Sequence, residues 1–115
     1  MKNLILLLTL VFSFILSSNT TLKAQKIFKV KYESQADIKV YIVKYESQCD
    51  LKVFNVKYES QAKKDGLWYG VKYESQADKK IYFVDAEYKA DIVIYFVDAE
   101  YKAKWNKTGK KNKMY

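Results

Sequence analysis

Val30-Lys31-Tyr32-Glu33-Ser34-Gln35-Ala36-Asp37 decides the reading of this chain, because it returns thirteen residues later as Val43-Lys44-Tyr45-Glu46-Ser47-Gln48-Cys49-Asp50. It comes back from Val56 to Lys63, with Lys63 in the aspartate slot, and from Val71 to Asp78. Two diverged copies close the series, Val84-Asp85-Ala86-Glu87-Tyr88-Lys89-Ala90-Asp91 and Val97-Asp98-Ala99-Glu100-Tyr101-Lys102-Ala103-Lys104. Units this short cannot bury a core one at a time, so neighbours must stack and fold cooperatively. The third unit is longer by two residues and carries Lys64-Asp65-Gly66 and Gly70. Asp-Gly between apolar runs is the only strong tight-turn signal in the chain. It divides the array at residues 64–67 into halves of three units, which predicts a pseudo-two-fold arrangement.

Each unit reads as a strand followed by a corner. Val40-Tyr41-Ile42-Val43, Val53-Phe54-Asn55-Val56, Ile81-Tyr82-Phe83-Val84 and Ile94-Tyr95-Phe96-Val97 are β-branched and aromatic, as a pleated surface favours. The hydrophobic parity flips within each run, as from Ile42 to Val43, which means a bulge or a strand covered on both faces. The corner Ser34-Gln35-Ala36-Asp37 and its relatives have no glycine or proline. Ser-x-x-Asp there resembles a capping box, with hydroxyl and carboxylate satisfying the N–H groups of one helical turn. About nine residues of each unit are left for the strand and four for the turn. The fold class is all-β, or mainly β with single helical turns, in a compact array of six strand-plus-corner repeats. Ten of the eleven tyrosines lie between Tyr32 and Tyr101 and are expected to supply core area, with an exposed stacking platform as the alternative. Near-identical strands can exchange register, so the expected state is a monomer open to domain swapping.

Residues 1–24 read as a secretory signal peptide. Met1-Lys2-Asn3 gives a positive start, Leu4 to Leu16 a nearly unbroken apolar run, and Ala24 the small residue before a cut, although Leu22 stands where a small residue is usual. Thirteen residues fall short of the roughly 20 that span a bilayer as a helix. The alternative is an uncleaved anchoring helix. The protein is expected to be exported to the periplasm, the cell envelope or the outside. Residues 25–104 then form the repeat domain and residues 105–115 a basic C-terminal tail.

The 115 residues carry a formal charge of +8 with no histidine, and all 21 basic residues are lysines. Without histidine there is no Ser-His or Cys-His dyad and no imidazole acid or base near neutrality. A single cysteine makes no intramolecular disulfide or iron–sulfur cluster. The body from Gln25 to Tyr101 holds 13 lysines and 13 acids, so the positive charge of the mature chain belongs to its end. There Lys104, Trp105, Lys107, Lys110, Lys111 and Lys113 are the candidate binding residues, suited to an anionic envelope polymer or membrane surface. A solvated tail that aids solubility is the competing reading, and Trp105 is expected to pack on the last repeat in either case.

The repeated acids, Glu33, Glu46, Glu59 and Glu74 with Asp37, Asp50, Asp78 and Asp91, read as solvated rungs paired with Lys31, Lys44, Lys57 and Lys72. Calcium-binding rolls would need glycines beside the aspartates, and none is there. No metal or cofactor is called for. The functional expectation is a non-catalytic structural or interaction module. The alternative is a carboxylate-dependent hydrolase acting on envelope polymers, which needs two particular acids flanking one bond. Cys49 stands in an alanine slot and reads as a small core residue, with a reactive thiol or intermolecular disulfide as the alternative. Trp68, beside the half-way loop, reads as core closure, although a break in repeat symmetry around Gly66-Leu67-Trp68-Tyr69-Gly70 is also where function could reside.

The Val-Lys-Tyr-Glu-Ser-Gln-Ala-Asp units, followed by Ile-Lys-Val-Tyr and Lys-Ile-Tyr-Phe-Val-Asp and a lysine-rich tail bearing Trp105, resemble a family of small bacterial proteins of unknown function. The resemblance covers about Ile27 to Tyr115. It implies a deeply knotted, seven-crossing topology wound from such repeats, in which consecutive strands need not be sheet neighbours and unfolding is slow. It carries across no catalytic residue.

Overall fold

The computed structural model describes residues 25–114, so the signal segment expected at residues 1–24 lies outside the described residues. Six strands follow the six β-branched and aromatic runs: β1 Lys26–Lys29, β2 Ile38–Ile42, β3 Leu51–Asn55, β4 Leu67–Gly70, β5 Lys79–Phe83 and β6 Ile92–Phe96. A two-residue β7, Lys104–Trp105, and a terminal turn α1, Lys111–Met114, complete the chain. After each long strand comes one 3-10 turn, at Glu33–Gln35, Glu46–Gln48, Glu59–Gln61, Glu74–Gln76, Glu87–Lys89 and Glu100–Lys102. These are corners 1 to 6. The strands run four or five residues rather than nine, because the corner has more to span than one turn.

What it spans is a neighbouring strand. The six strands are parallel and stand in the order β4-β1-β5-β2-β6-β3, and β3 pairs with β4 to close a barrel. Strands of the first half alternate with strands of the second. Corner 1 leaves β1 with the Val30 N–H on the Ile81 carbonyl and reaches β2 with the Asp37 N–H on the Lys80 carbonyl, so it strides over β5. Corner 2 crosses β6 in the same way, from Val43 on Ile94 to Asp50 on Val93. Corners 3, 4, 5 and 6 pack over β4, β1, β2 and β3. Each strand is thereby held between the barrel interior and one arch of chain. The halves are interleaved rather than set side by side.

Register explains why so short a crossover suffices. Ile38 lies beside Ile81, which holds the repeat slot of Val40, and Val40 lies beside Ile92, which holds the slot of Ile38. Every interface carries this two-residue stagger, and an even stagger keeps inward side chains beside inward side chains. Six such steps displace the register by twice the strand number, which tilts the strands more steeply than the roughly 35–45° of common barrels. A steeply tilted strand already advances round the barrel, so the chain need not travel back a full strand length. Ordinary parallel crossovers take a dozen residues or more.

The barrel interior holds Ile27, Ile38, Val40, Leu51, Val53, Trp68, Ile81, Ile92 and Ile94, all buried. A second apolar layer lies outside the strands beneath the arches, where Val43, Cys49 and Val93 pack together, as do Val56, Leu67 and Ala103. The parity flip therefore marks strands covered on both faces. The corner tyrosines behave otherwise than expected. Tyr32, Tyr45, Tyr58 and Tyr73 immediately precede their turns and, with Tyr88 and Tyr101, stand exposed, from 58% for Tyr73 to 86% for Tyr88. Isoleucine, leucine, valine and Trp68 fill the barrel interior instead.

The corner aspartates also depart from the capping expectation. Asp37, Asp50, Asp78 and Asp91 each form a two-point clamp on the next strand. Their own N–H groups donate to the carbonyls of Lys80, Val93, Lys26 and Lys39, and their carboxylates accept the N–H of those same residues at 2.9–3.0 Å. Where the turn is capped at all, a glutamine does it: Gln61 Oε1 accepts the Tyr58 N–H at 3.1 Å and Gln76 Oε1 the Tyr73 N–H at 3.3 Å. The glutamates pair with strand lysines, not with Lys31, Lys44, Lys57 and Lys72: Glu33 with Lys39, Glu46 with Lys52, Glu59 with Lys26 and Glu74 with Lys80. In each case the arch ties itself to a strand beyond the one it crosses.

Candidate functional site

The two ends of the barrel are finished differently. At the end where the strands begin, the chain closes the barrel with its own C-terminus. β7 runs antiparallel along the start of β3, filling the part of that edge which β4 does not reach. Met114 of α1 is fully buried in the interior cluster, and Trp105 packs against the same cluster. The Trp105 indole N–H donates to Asp65 Oδ2 at 2.8 Å, the Asn106 side-chain amide to the Cys49 carbonyl at 3.0 Å, and the N–H groups of Asn106 and Lys107 both to the Asp50 carbonyl. Trp105 thus pairs with β3 and bonds to the half-way loop, while packing on an interior cluster to which the sixth unit contributes Ile92 and Ile94.

The lysines singled out from sequence divide in consequence. Lys110 lies 3.4 Å from Asp50 and Lys111 lies 3.6 Å from Asp65, so both fasten the plug. Lys104, Lys107 and Lys113 are exposed on it. Lys107 also borders a shallow cavity of about 530 Å³ between corner 2 and Glu87, walled by Tyr41, Tyr45 and Gln48. Cys49 is fully buried beneath corner 2, its thiol donating to the Glu46 carbonyl at 3.1 Å. Burial pushes its pKa up, outweighing the lowering effect of Lys52. It is a packing residue.

At the other end the barrel is open among the described residues. A cavity of about 450 Å³ occupies the mouth, and the last residue of all six strands stands on its rim: Lys29, Ile42, Asn55, Gly70, Phe83 and Phe96. Ile27, Trp68 and Ile81, one inward position deeper, form its floor. Carboxyl ends of parallel strands are where open α/β sheets and closed parallel barrels alike place their ligands. Sequence reasoning passed over these residues, although the signal was there. The slot before the constant valine holds five residue types in six repeats, while Val30, Val43, Val56, Val71, Val84 and Val97 never vary. The symmetry break flagged around Trp68 and Gly70 does open into this mouth, with Trp68 itself 2% exposed and part of the core.

Eleven of the thirteen carboxylates, all but Glu87 and Glu100, are engaged in clamps, ion pairs or the Trp105 hydrogen bond. Four aspartates clamp strands, Asp85 pairs with Lys89 and Asp98 with Lys102, and Asp65 holds Trp105. The lysine partners hold Asp85 and Asp98 below the usual carboxylate range, chiefly through the hydrogen bond itself. Among the described residues no three of the potential metal-binding side chains gather closely enough to hold an ion.

Comparison with curated proteins and with solved structures gives no match. A family profile does match, over residues 24–106, which is the whole repeat array together with β7. The match covers most of the chain, and the chain belongs to the family of the 7(1) septoil knot domain.

Proposed function

We propose that this protein is an exported, non-catalytic interaction module that sits against anionic envelope surfaces through its plugged end. The observation that carries the reading is the burial of Met114, which makes the C-terminal residues a fixed cap and not a loose tail. Lys104, Lys107 and Lys113 are thereby held exposed on one end of a rigid barrel. Charges fixed on one face meet a polyanion without first losing chain entropy. The non-catalytic part of the reading rests on the employment of eleven of the thirteen acids in clamps, ion pairs and the Trp105 hydrogen bond, which leaves no two free carboxylates on one cavity. Export rests on the sequence of residues 1–24.

The test is binding to vesicles containing one-third anionic phospholipid, and in parallel to soluble polyphosphate, over a series of salt concentrations. A lysine near an anionic surface contributes about 1 kcal/mol. The triple variant Lys104→Gln, Lys107→Gln, Lys113→Gln should therefore bind roughly 100-fold more weakly at low salt, with its fold unchanged. Binding to vesicles alone makes the target a membrane, and binding to polyphosphate as well makes it a phosphate-rich polymer. Equal retention of variant and wild type at every salt concentration would refute the reading.

A further inference from the structure

The open mouth has two unlike sides. Following the strand order round the rim gives Gly70, Lys29, Phe83, Ile42, Phe96 and Asn55, and then Gly70 again. Three consecutive apolar residues face three consecutive polar or absent side chains. On the polar arc, glycine leaves a notch between a cation and an amide. A Cβ added at Gly70 would meet nothing within 4 Å, so the notch is open space. Lys29 is exposed and lies over the Phe83 ring at 5.2 Å, and none of the rim or floor residues is acidic. Ile42, on the apolar arc, is 43% exposed. The described C-terminal residues seal one end of the barrel, and among the described residues nothing covers this end, floored by Trp68.

We propose that the mouth binds a small amphiphilic carboxylate, its acyl chain lying in the cup against Phe83, Ile42 and Phe96 and its head seated at Gly70 between Lys29 and Asn55. An apolar arc alone would suit any greasy surface. The pairing of that arc with one uncompensated cation and an amide selects a molecule that is apolar at one end and anionic at the other. The cavity falls toward the small end of the roughly 300–1,000 Å³ range of small-molecule pockets, which suits a short or medium acyl chain. The site is at the opposite end of the barrel from the basic plug, so this proposal and the envelope reading stand or fall separately.

The experiment titrates octanoate, hexanoate and octanol into the full protein, read by calorimetry and by tryptophan fluorescence. Octanoate should bind one to one, about fourfold tighter for each methylene gained over hexanoate, and tighter than octanol. Lys29→Gln should weaken octanoate at least tenfold and leave octanol unchanged. Gly70→Leu fills the notch and should abolish octanoate binding while the circular dichroism and Tm stay those of wild type. If that variant does not fold, the Lys29→Gln comparison still decides. Absence of saturable binding, or equal binding of octanoate by wild type and Lys29→Gln, overturns the proposal. So does a concentration-dependent dimer dissolved by Gly70→Leu, because the mouth would then be occupied by a second copy of the chain.

Discussion

Gly66 and Gly70 stand four residues apart at either end of β4, and substitution by alanine should affect them oppositely. Gly66 has φ +91°, in the region that non-glycine residues avoid. An alanine methyl there would lie 2.5 Å from the Lys52 carbonyl oxygen and 3.2 Å from Ala103 Cβ, both parts of the packed structure. The conformational penalty is about 1–2 kcal/mol. To relieve the 2.5 Å contact the backbone must move, and the hydrogen bond from the Phe54 N–H to the Gly66 carbonyl, 2.8 Å long, is lost or stretched. That adds about 1 kcal/mol. Gly66→Ala should therefore cost about 2–4 kcal/mol before any loss of β3–β4 pairing. Gly70 has open space around its Cβ position and no positive φ, so Gly70→Ala should be neutral or stabilise by up to about 1 kcal/mol through the unfolded chain. Urea unfolding at equilibrium, approached from both the folded and the unfolded side, measures the difference. Equal midpoints for the two variants would refute the account of the half-way loop, because that account makes Gly66 the one glycine of the three with no room for a side chain.

The plug and the buried thiol give two further expectations. Met114→Ala removes a fully buried side chain from the interior cluster and should cost about 2–5 kcal/mol. Truncation after Tyr101 should cost more, since it also strips β7 from β3, and a truncated chain as stable as the whole would show the plug to be an ornament in urea titrations. Burial raises the Cys49 pKa, so its thiolate forms only above the ordinary thiol range and the native protein should resist a thiol-specific disulfide reagent at pH 8. Reaction should become immediate in guanidinium, and labelling of the native protein at the rate of a free thiol would contradict the packing assigned to corner 2.

The period, the strand runs and the single helical turns were legible because they are local. Thirteen-residue spacing, β-branched runs and the absence of glycine or proline from the corners speak of one unit at a time. The neighbour relations were not legible, since near-identical units give no sign of which strand each lies beside. Asp37 looks the same whether its carboxylate caps its own turn or clamps Lys80 forty-three residues away. The tyrosines misled for a related reason. Aromatic residues at strand ends usually mean core, but here the residue after the constant Val-Lys pair belongs to the arch. In the fifth and sixth units the tyrosine moves two places along, to Tyr88 and Tyr101, and remains exposed. The tail read as a basic segment, binding or merely solvated, because lysines dominate it, and the one apolar residue that governs its placement, Met114, is outnumbered.

The double winding follows from counting lanes. Each unit carries the chain two strand positions round a six-strand barrel, so three units bring it back to the lane where it began. A fourth unit of ordinary length would arrive on β1. Corner 3 does reach that far, since Glu59 pairs with Lys26 of β1. The extended third unit, with its turn from the Lys64 carbonyl to the Leu67 N–H and its left-handed Gly66, sets β4 one lane short, between β3 and β1. From there the same two-lane stride fills every gap left by the first half, and each new arch must pass over a strand already laid down. The knot thus needs no special sequence beyond one misfit unit in an otherwise uniform array. The same uniformity makes much of the surface a repeat of one scaffold role. Positions free to differ are those that neither clamp nor fill, and the strand-end slot before each constant valine is the one that all six units spend on the mouth.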